Sequence, residues 1–167
     1  MDDTRYISST TNSPTPFSTK WEAPSNIALV KYWGKKEPQL PKNPSLSFTL
    51  TSSVTITEVI FTPSDKNSFG FDFYFEGAVK LDFYPKLESF FEQIKKYVPW
   101  IDGYSLKIRS NNSFPHSSGI ASSASSIAAL SMCIMDMERT LFPQIIDPEF
   151  NQKASFLARL GSGSAAR

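Results

Sequence analysis

An α+β fold is what this 167-residue chain predicts, and three observations carry the prediction. Runs rich in Thr, Val, Ile and Phe alternate apolar with polar residues, as half-buried strands do. Other runs space their apolar residues at helical intervals. The two kinds interleave without the regular strand–helix–strand spacing of a doubly wound sheet or a barrel. No internal repeat is visible, and one domain is the default at this length and at 40% hydrophobic residues.

Taken in order, residues 1–19 are polar and rich in Ser and Thr, so they are expected to form a flexible N-terminal extension, with the domain running over 20–167. The run Asn26 to Trp33 reads as a short strand entering a loop from Gly34 to Asn43 that holds three lysines and two prolines. Ser45 to Phe61 alternates and predicts a strand, as does Phe69 to Glu76, with a hairpin expected between them near Asp65 to Ser68. Leu87, Phe90, Phe91, Ile94 and Val98 share one helical face, so Lys86 to Val98 predicts a helix. Tyr104 to Arg109 predicts another strand. Ile120 to Leu141 predicts a long Ala- and Ser-rich helix, and Pro148 to Leu160 a third helix with Pro148 in its first turn.

Charge and composition exclude several classes of function. The 17 basic and 16 acidic residues nearly cancel, so no overall field draws the chain to nucleic acid or to an anionic membrane. The N-terminus lacks the apolar core of a signal peptide, and no apolar run approaches the ~20 residues of a membrane span. The one cysteine, Cys133, cannot form an intrachain disulfide and sits in an apolar helical run, which predicts a buried thiol and a reducing, cytoplasmic setting. The one histidine, His116, has no thiol or imidazole cluster to share a zinc ion. The aromatic run Phe69 to Phe75 has no interleaved basic residues, so it reads as core rather than as a base-stacking platform.

Three segments carry chemistry. Pro115 to Ser126 packs small residues into a turn that runs straight into a helix. Free N–H groups and the helix dipole there suit a polyphosphate, and the serines add hydroxyls. A plain, closely packed helix start is the alternative, and no Gly-Lys-Ser/Thr makes it a Walker loop. Lys31-Tyr32-Trp33-Gly34-Lys35-Lys36 offers positive charge around an aromatic-glycine step, or else a solvated loop. Gly161-Ser162-Gly163-Ser164-Ala165-Ala166-Arg167 offers hydroxyls and a guanidinium that can clamp a carboxylate or phosphate, or else only ends a helix.

Together the three segments resemble the diphosphomevalonate decarboxylases of the GHMP kinase superfamily. Ala23 to Lys36 and Leu40 to Ser47 are similar to that family's A-N-I-A-x-x-K-Y-W-G-K and L-P-x-N-x-S-[LI]-S. Pro115 to Ser125 is similar to its P-x-x-x-G-[LI]-A-S-S-A, and Gly161 to Arg167 to its G-S-G-S-A-x-R. The resemblance spans roughly 21–167. Departures are Pro24 and Ser25 standing between Ala23 and Asn26, Pro44 where serine is usual, and Ala166 where cysteine is common.

The resemblance implies the N-terminal GHMP domain, like the second domain of ribosomal protein S5: a mixed, mainly antiparallel sheet with helices on one face. It implies an ATP- and Mg²⁺-dependent enzyme of isoprenoid synthesis that phosphorylates the tertiary hydroxyl of mevalonate 5-diphosphate and releases CO₂ to give isopentenyl diphosphate. Catalytic roles fall on Lys31, Ser164 and Arg167. Tyr32, Lys35, Ser162, Ser164 and Arg167 are expected to hold the substrate. Ser118, Gly119, Ala121, Ser122, Ser123 and Ser125 are expected to hold the ATP phosphates, with Ser122 and Ser123 near Mg²⁺. His116 is expected to cap or pack. The active site would face a C-terminal half that this chain lacks, so residues 1–167 alone are expected to be inactive. Partners implied are the small-molecule substrate, with no nucleic acid or membrane, and a homodimer of the full-length enzyme stays open. The competing readings are a GHMP small-molecule kinase, a mevalonate or phosphomevalonate decarboxylase, and an inactive half-protein.

Overall fold

The computed structural model describes residues 3–10, 14–31, 33–36, 40–64, 68–115 and 119–165. Among them run strands β1 (Phe17–Val30), β2 (Lys35–Lys36), β3 (Leu40–Pro41), β4 (Leu46–Pro63), β5 (Gly70–Phe75), β6 (Ala78–Val79) and β7 (Tyr104–Asn112). The helices are α1 (Tyr84–Ile94), α2 (Ser122–Leu141) and α3 (Asp147–Gly161). The main sheet has the order β1-β4-β7-β5-β6, antiparallel except for the parallel β5–β7 pair, and β2–β3 form a separate ribbon.

Period-two alternation decides which face of the sheet is covered. Thr55, Thr57, Val59 and Phe61 of β4, Tyr104, Leu106, Ile108 and Ser110 of β7, and Phe73 and Phe75 of β5 are buried, while the residues between them stay at least partly exposed. All three helices pack on that one face. Leu87, Phe90, Phe91 and Ile94 of α1 meet Ile127, Leu130 and Ile134 of α2 and Leu157 of α3 in a single core. Each such side chain contributes roughly 1.5–3 kcal/mol on burial. Pro85 and Pro148 occupy the first turns of α1 and α3, where no N–H is needed. Close approach matters at Gly161: a Cβ there would stand 2.6 Å from Phe90 Cδ2 and 2.8 Å from Ile127 Cγ2.

The α+β class, the mainly antiparallel sheet and the one-sided helices match the sequence reading. Three local expectations need correction. No hairpin joins β4 to β5, because β7 lies between them and β5 instead turns back on β6. The turn residues there, Glu76 and Gly77, both have positive φ (51° and 79°), the tight geometry that matches strand twist. The first strand is far longer than Asn26 to Trp33: it begins at Phe17, because β4 offers an equally long partner.

A loose extension over residues 1–19 is also not what the described residues show. Tyr6 stacks on Phe156 at 4.3 Å, and Ser8 donates to the Tyr97 carbonyl at 2.9 Å and to Glu138 at 3.0 Å. The segment is polar, but buried polar partners on α2 and in the turn after α1 receive it.

Candidate active site

The long β1–β4 pair positions the first wall of a cleft. Asn26, Ile27, Ala28 and Lys31, at the far end of β1 and just past it, line a cavity of about 460 Å³ together with Gly119, Ala121 and Ser164. Three segments about 40 to 140 residues apart in sequence thus meet at one place. Asn26 Nδ2 donates to the Ser164 carbonyl at 3.4 Å, which ties the strand to the turn after α3. Ser162 Oγ and Ser164 Oγ lie 3.4 Å apart in that turn.

The loop beyond Lys31 is folded back on itself. The Trp33 amide donates to Asn43 Oδ1 at 2.6 Å, Asn43 Nδ2 donates to the Lys31 carbonyl at 3.3 Å, and the Lys42 amide donates to the Gly34 carbonyl at 3.2 Å. Gly34, at φ 76°, makes the reversal. Asn43 therefore holds the backbone from which the Lys31 side chain springs. Tyr32 lies outside the described residues, and so does the side chain of Lys35.

The start of α2 forms the second wall. Gly119 and Ala121 are both left-handed, with φ of 80° and 55°, and they swing the chain sharply into the helix. Ala121 is the cap residue and makes no side-chain cap hydrogen bond. The first N–H groups of a helix have no carbonyl partner within it. Among the described residues no side-chain oxygen caps this start, and the Ala124 amide returns to the Ala121 carbonyl at 2.8 Å, so the Ser122 and Ser123 amides and the dipole of a 20-residue helix suit an anionic ligand.

The serines of this start divide. Ser122 and Ser123 border an apolar recess beside Phe73, Phe75, Phe83 and Lys86. Ser125 is 1% exposed and faces the sheet: its Oγ lies 2.6 Å from Thr55 Oγ1, which donates to Asn112 Oδ1 at 2.8 Å. The Ser125 hydroxyl therefore anchors α2 to β4 and does not reach the cleft. Ser118, His116 and Arg167 lie outside the described residues.

Lys31, Gly119, Ala121 and Ser164 are thus brought together, with Ser162 adjoining. Asn26, which sequence reasoning used only as part of a motif, proves to be a wall residue. Among the described residues no cluster of His, Cys, Asp or Glu could hold a metal, and no helix is long and apolar enough to cross a membrane. Cys133 is fully buried, its Sγ 3.4 Å from the Thr57 carbonyl, and burial pushes its pKa up to about 12. It is no nucleophile.

Residues 23–167 match the diphosphomevalonate decarboxylase-like N-terminal domain. The chain belongs to that family. It is 36% identical to the diphosphomevalonate decarboxylase ERG19 of Gibberella zeae over 180 residues, covering 100% of this chain and 42% of the relative. The crystal structure of mevalonate diphosphate decarboxylase from Staphylococcus aureus superposes with a TM-score of 0.73 at 35% identity, over 92% of this chain and 44% of that one. The structure of MDDEF in complex with MVAPP, AMPPCP and magnesium superposes with a TM-score of 0.71 at 33% identity, again over 92% and 44%. The chain therefore spans about two-fifths of the length of these decarboxylases, and what it shares with them is the N-terminal domain fold.

Proposed function

We propose that this domain supplies the phosphate-gripping and substrate-gripping wall of an ATP-dependent decarboxylase acting on mevalonate 5-diphosphate. The observation that carries the reading is the convergence of Lys31, Gly119, Ala121 and Ser164 on one cleft. A lysine, an uncapped helix start and a serine turn form a donor set suited to a polyphosphate and a carboxylate, and they offer no acid or base cluster that would suit another chemistry. ATP fits the donors at the helix start, and Mg²⁺ would arrive with it, held by its phosphates and by the Ser122 and Ser123 hydroxyls. The nucleotide supplies the phosphoryl group that turns the tertiary hydroxyl into a leaving group.

The residues of this chain act by position and charge. The amides after Ala121 bind phosphate oxygens without reorganising. Lys31 offsets negative charge that develops on the phosphoryl group in flight. Ser162 and Ser164 donate to the anionic ends of the substrate, and Arg167 holds its carboxylate. A reducing cytoplasm is the proposed location, in keeping with the single free thiol.

Titration of the purified chain with Mg²⁺ and AMPPCP tests the reading. Binding is expected, with backbone amide shifts at Gly119, Ala121 and Ser122, and Lys31→Ala should weaken it at least ~10-fold as one charge partner is lost. No binding, or shifts confined elsewhere, overturns the assignment. The chain alone is expected to release neither CO₂ nor ADP.

A further inference from the structure

We infer that Ser25 is the positioning residue that holds the anion-binding turn in shape, an inference that rests on the proposed function of that turn. The starting point is Pro24, which has no N–H and cannot continue the ladder with β4. Pairing breaks there: Pro24 opposes Val54, but Ser25 opposes Leu50, so residues 51–53 of β4 bulge out. Ser113 fills the gap, its amide donating to the Val54 carbonyl at 2.9 Å and its hydroxyl accepting from the Val54 amide at 2.9 Å.

Past the break Ser25 faces the helices and is fully buried. Its hydroxyl donates to the Ile120 carbonyl. Ile120 lies between the two left-handed residues, Gly119 and Ala121. A left-handed alanine is a strained conformation that persists only where its surroundings hold it. Ser25 is such a hold. The bond also engages the turn's carbonyl, the group with the wrong polarity for an anion, and leaves the amides of the helix start for the ligand. Because Ser25 has no exposed surface, it cannot touch a ligand in the cleft. It acts through the turn. It also links the turn to the strand that carries Asn26, Ile27 and Ala28 and leads into Lys31, so both walls of the cleft keep one spacing.

The test compares wild type, Ser25→Ala, Ser25→Thr and Lys31→Ala in the 167-residue chain, by amide hydrogen exchange and by titration with Mg²⁺ and AMPPCP. Ser25→Ala should speed exchange at 119–121 while leaving α3 unchanged, and should weaken binding roughly 3- to 10-fold, the value of one hydrogen bond. Ser25→Thr keeps the hydroxyl and should restore both. Lys31→Ala should weaken binding without changing exchange at 119–121. The inference is overturned if Ser25→Ala exchanges and binds like wild type, or if Ser25→Thr is as impaired as Ser25→Ala. If wild type binds no nucleotide, the proposed function fails, and the exchange data still decide whether Ser25 holds the turn.

Discussion

The Lys153–Glu138 pair is the sharpest place to test the energetics of this domain. Lys153 Nζ lies 2.7 and 2.9 Å from the two Glu138 carboxylate oxygens and donates to the Tyr97 carbonyl at 2.9 Å. Glu138 also accepts from Trp100 Nε1 at 2.9 Å and from Ser8 at 3.0 Å, and it is 1% exposed. Lys153→Met leaves a buried carboxylate with only neutral donors, and Glu138→Leu leaves a buried ammonium with one carbonyl. Each should cost about 3–5 kcal/mol. The double variant removes both charges. The Tyr97 carbonyl then keeps the Ser8 amide at 3.0 Å, and the Trp100 N–H is the one donor left unpaired. That orphan costs about 1–3 kcal/mol, so the double variant should be more stable than either single variant.

Urea unfolding of all four proteins measures this as a double-mutant cycle. Burial pulls the Lys153 ammonium below its ordinary value, and Glu138 opposes the pull. In Glu138→Leu the opposition is gone, so between the lowered folded value and 10.5 the unfolded chain binds a proton that the folded chain does not. Its stability should therefore rise with pH in that window. A double variant that loses the sum of the two single costs would refute the reasoning.

Two further outcomes concern the core. Gly161→Ala should destabilise the domain by about 1–3 kcal/mol, because the added methyl meets Phe90 and Ile127 well inside contact distance; Phe90→Leu in the same chain should recover part of the loss in a denaturant midpoint. Cys133 titrates near 12 when folded against 9.0 when free, so its contribution is complete below pH 9 and is lost as pH rises towards 12. The full difference is about 4 kcal/mol. Thermal midpoints of wild type should thus fall more steeply over pH 9–11 than those of Cys133→Ala, and parallel slopes would count against the buried thiol.

Much of the fold was legible because its signals are local. The helical spacing from Leu87 to Ile94 lies within α1, and the alternation read from Ser45 to Phe61 lies, but for Ser45 itself, within β4. The expected strand and helix starts differ from those observed mainly where a partner extends an element, as β4 extends β1. The β4–β5 hairpin was misread because turn residues after a strand say nothing about which strand becomes its neighbour. The first residues looked loose because their anchors, Tyr97, Glu138 and Phe156, lie about 90 to 150 positions away.

The candidate site divides in the same way. Composition and motif order by themselves determined that a small-residue turn enters a helix, that a lysine follows an apolar strand, and that a serine-glycine turn ends the last helix. Those are properties of neighbouring residues, and short-range sterics and capping set them. Only the tertiary structure decided that Lys31 and Ser164 share a cleft with Gly119 and Ala121, that Ser125 turns to the sheet, and that Ser25 holds Ile120. Those contacts exist because the sheet order and the break at Pro24 bring distant backbone together, and no local pattern of polarity records a register between strands.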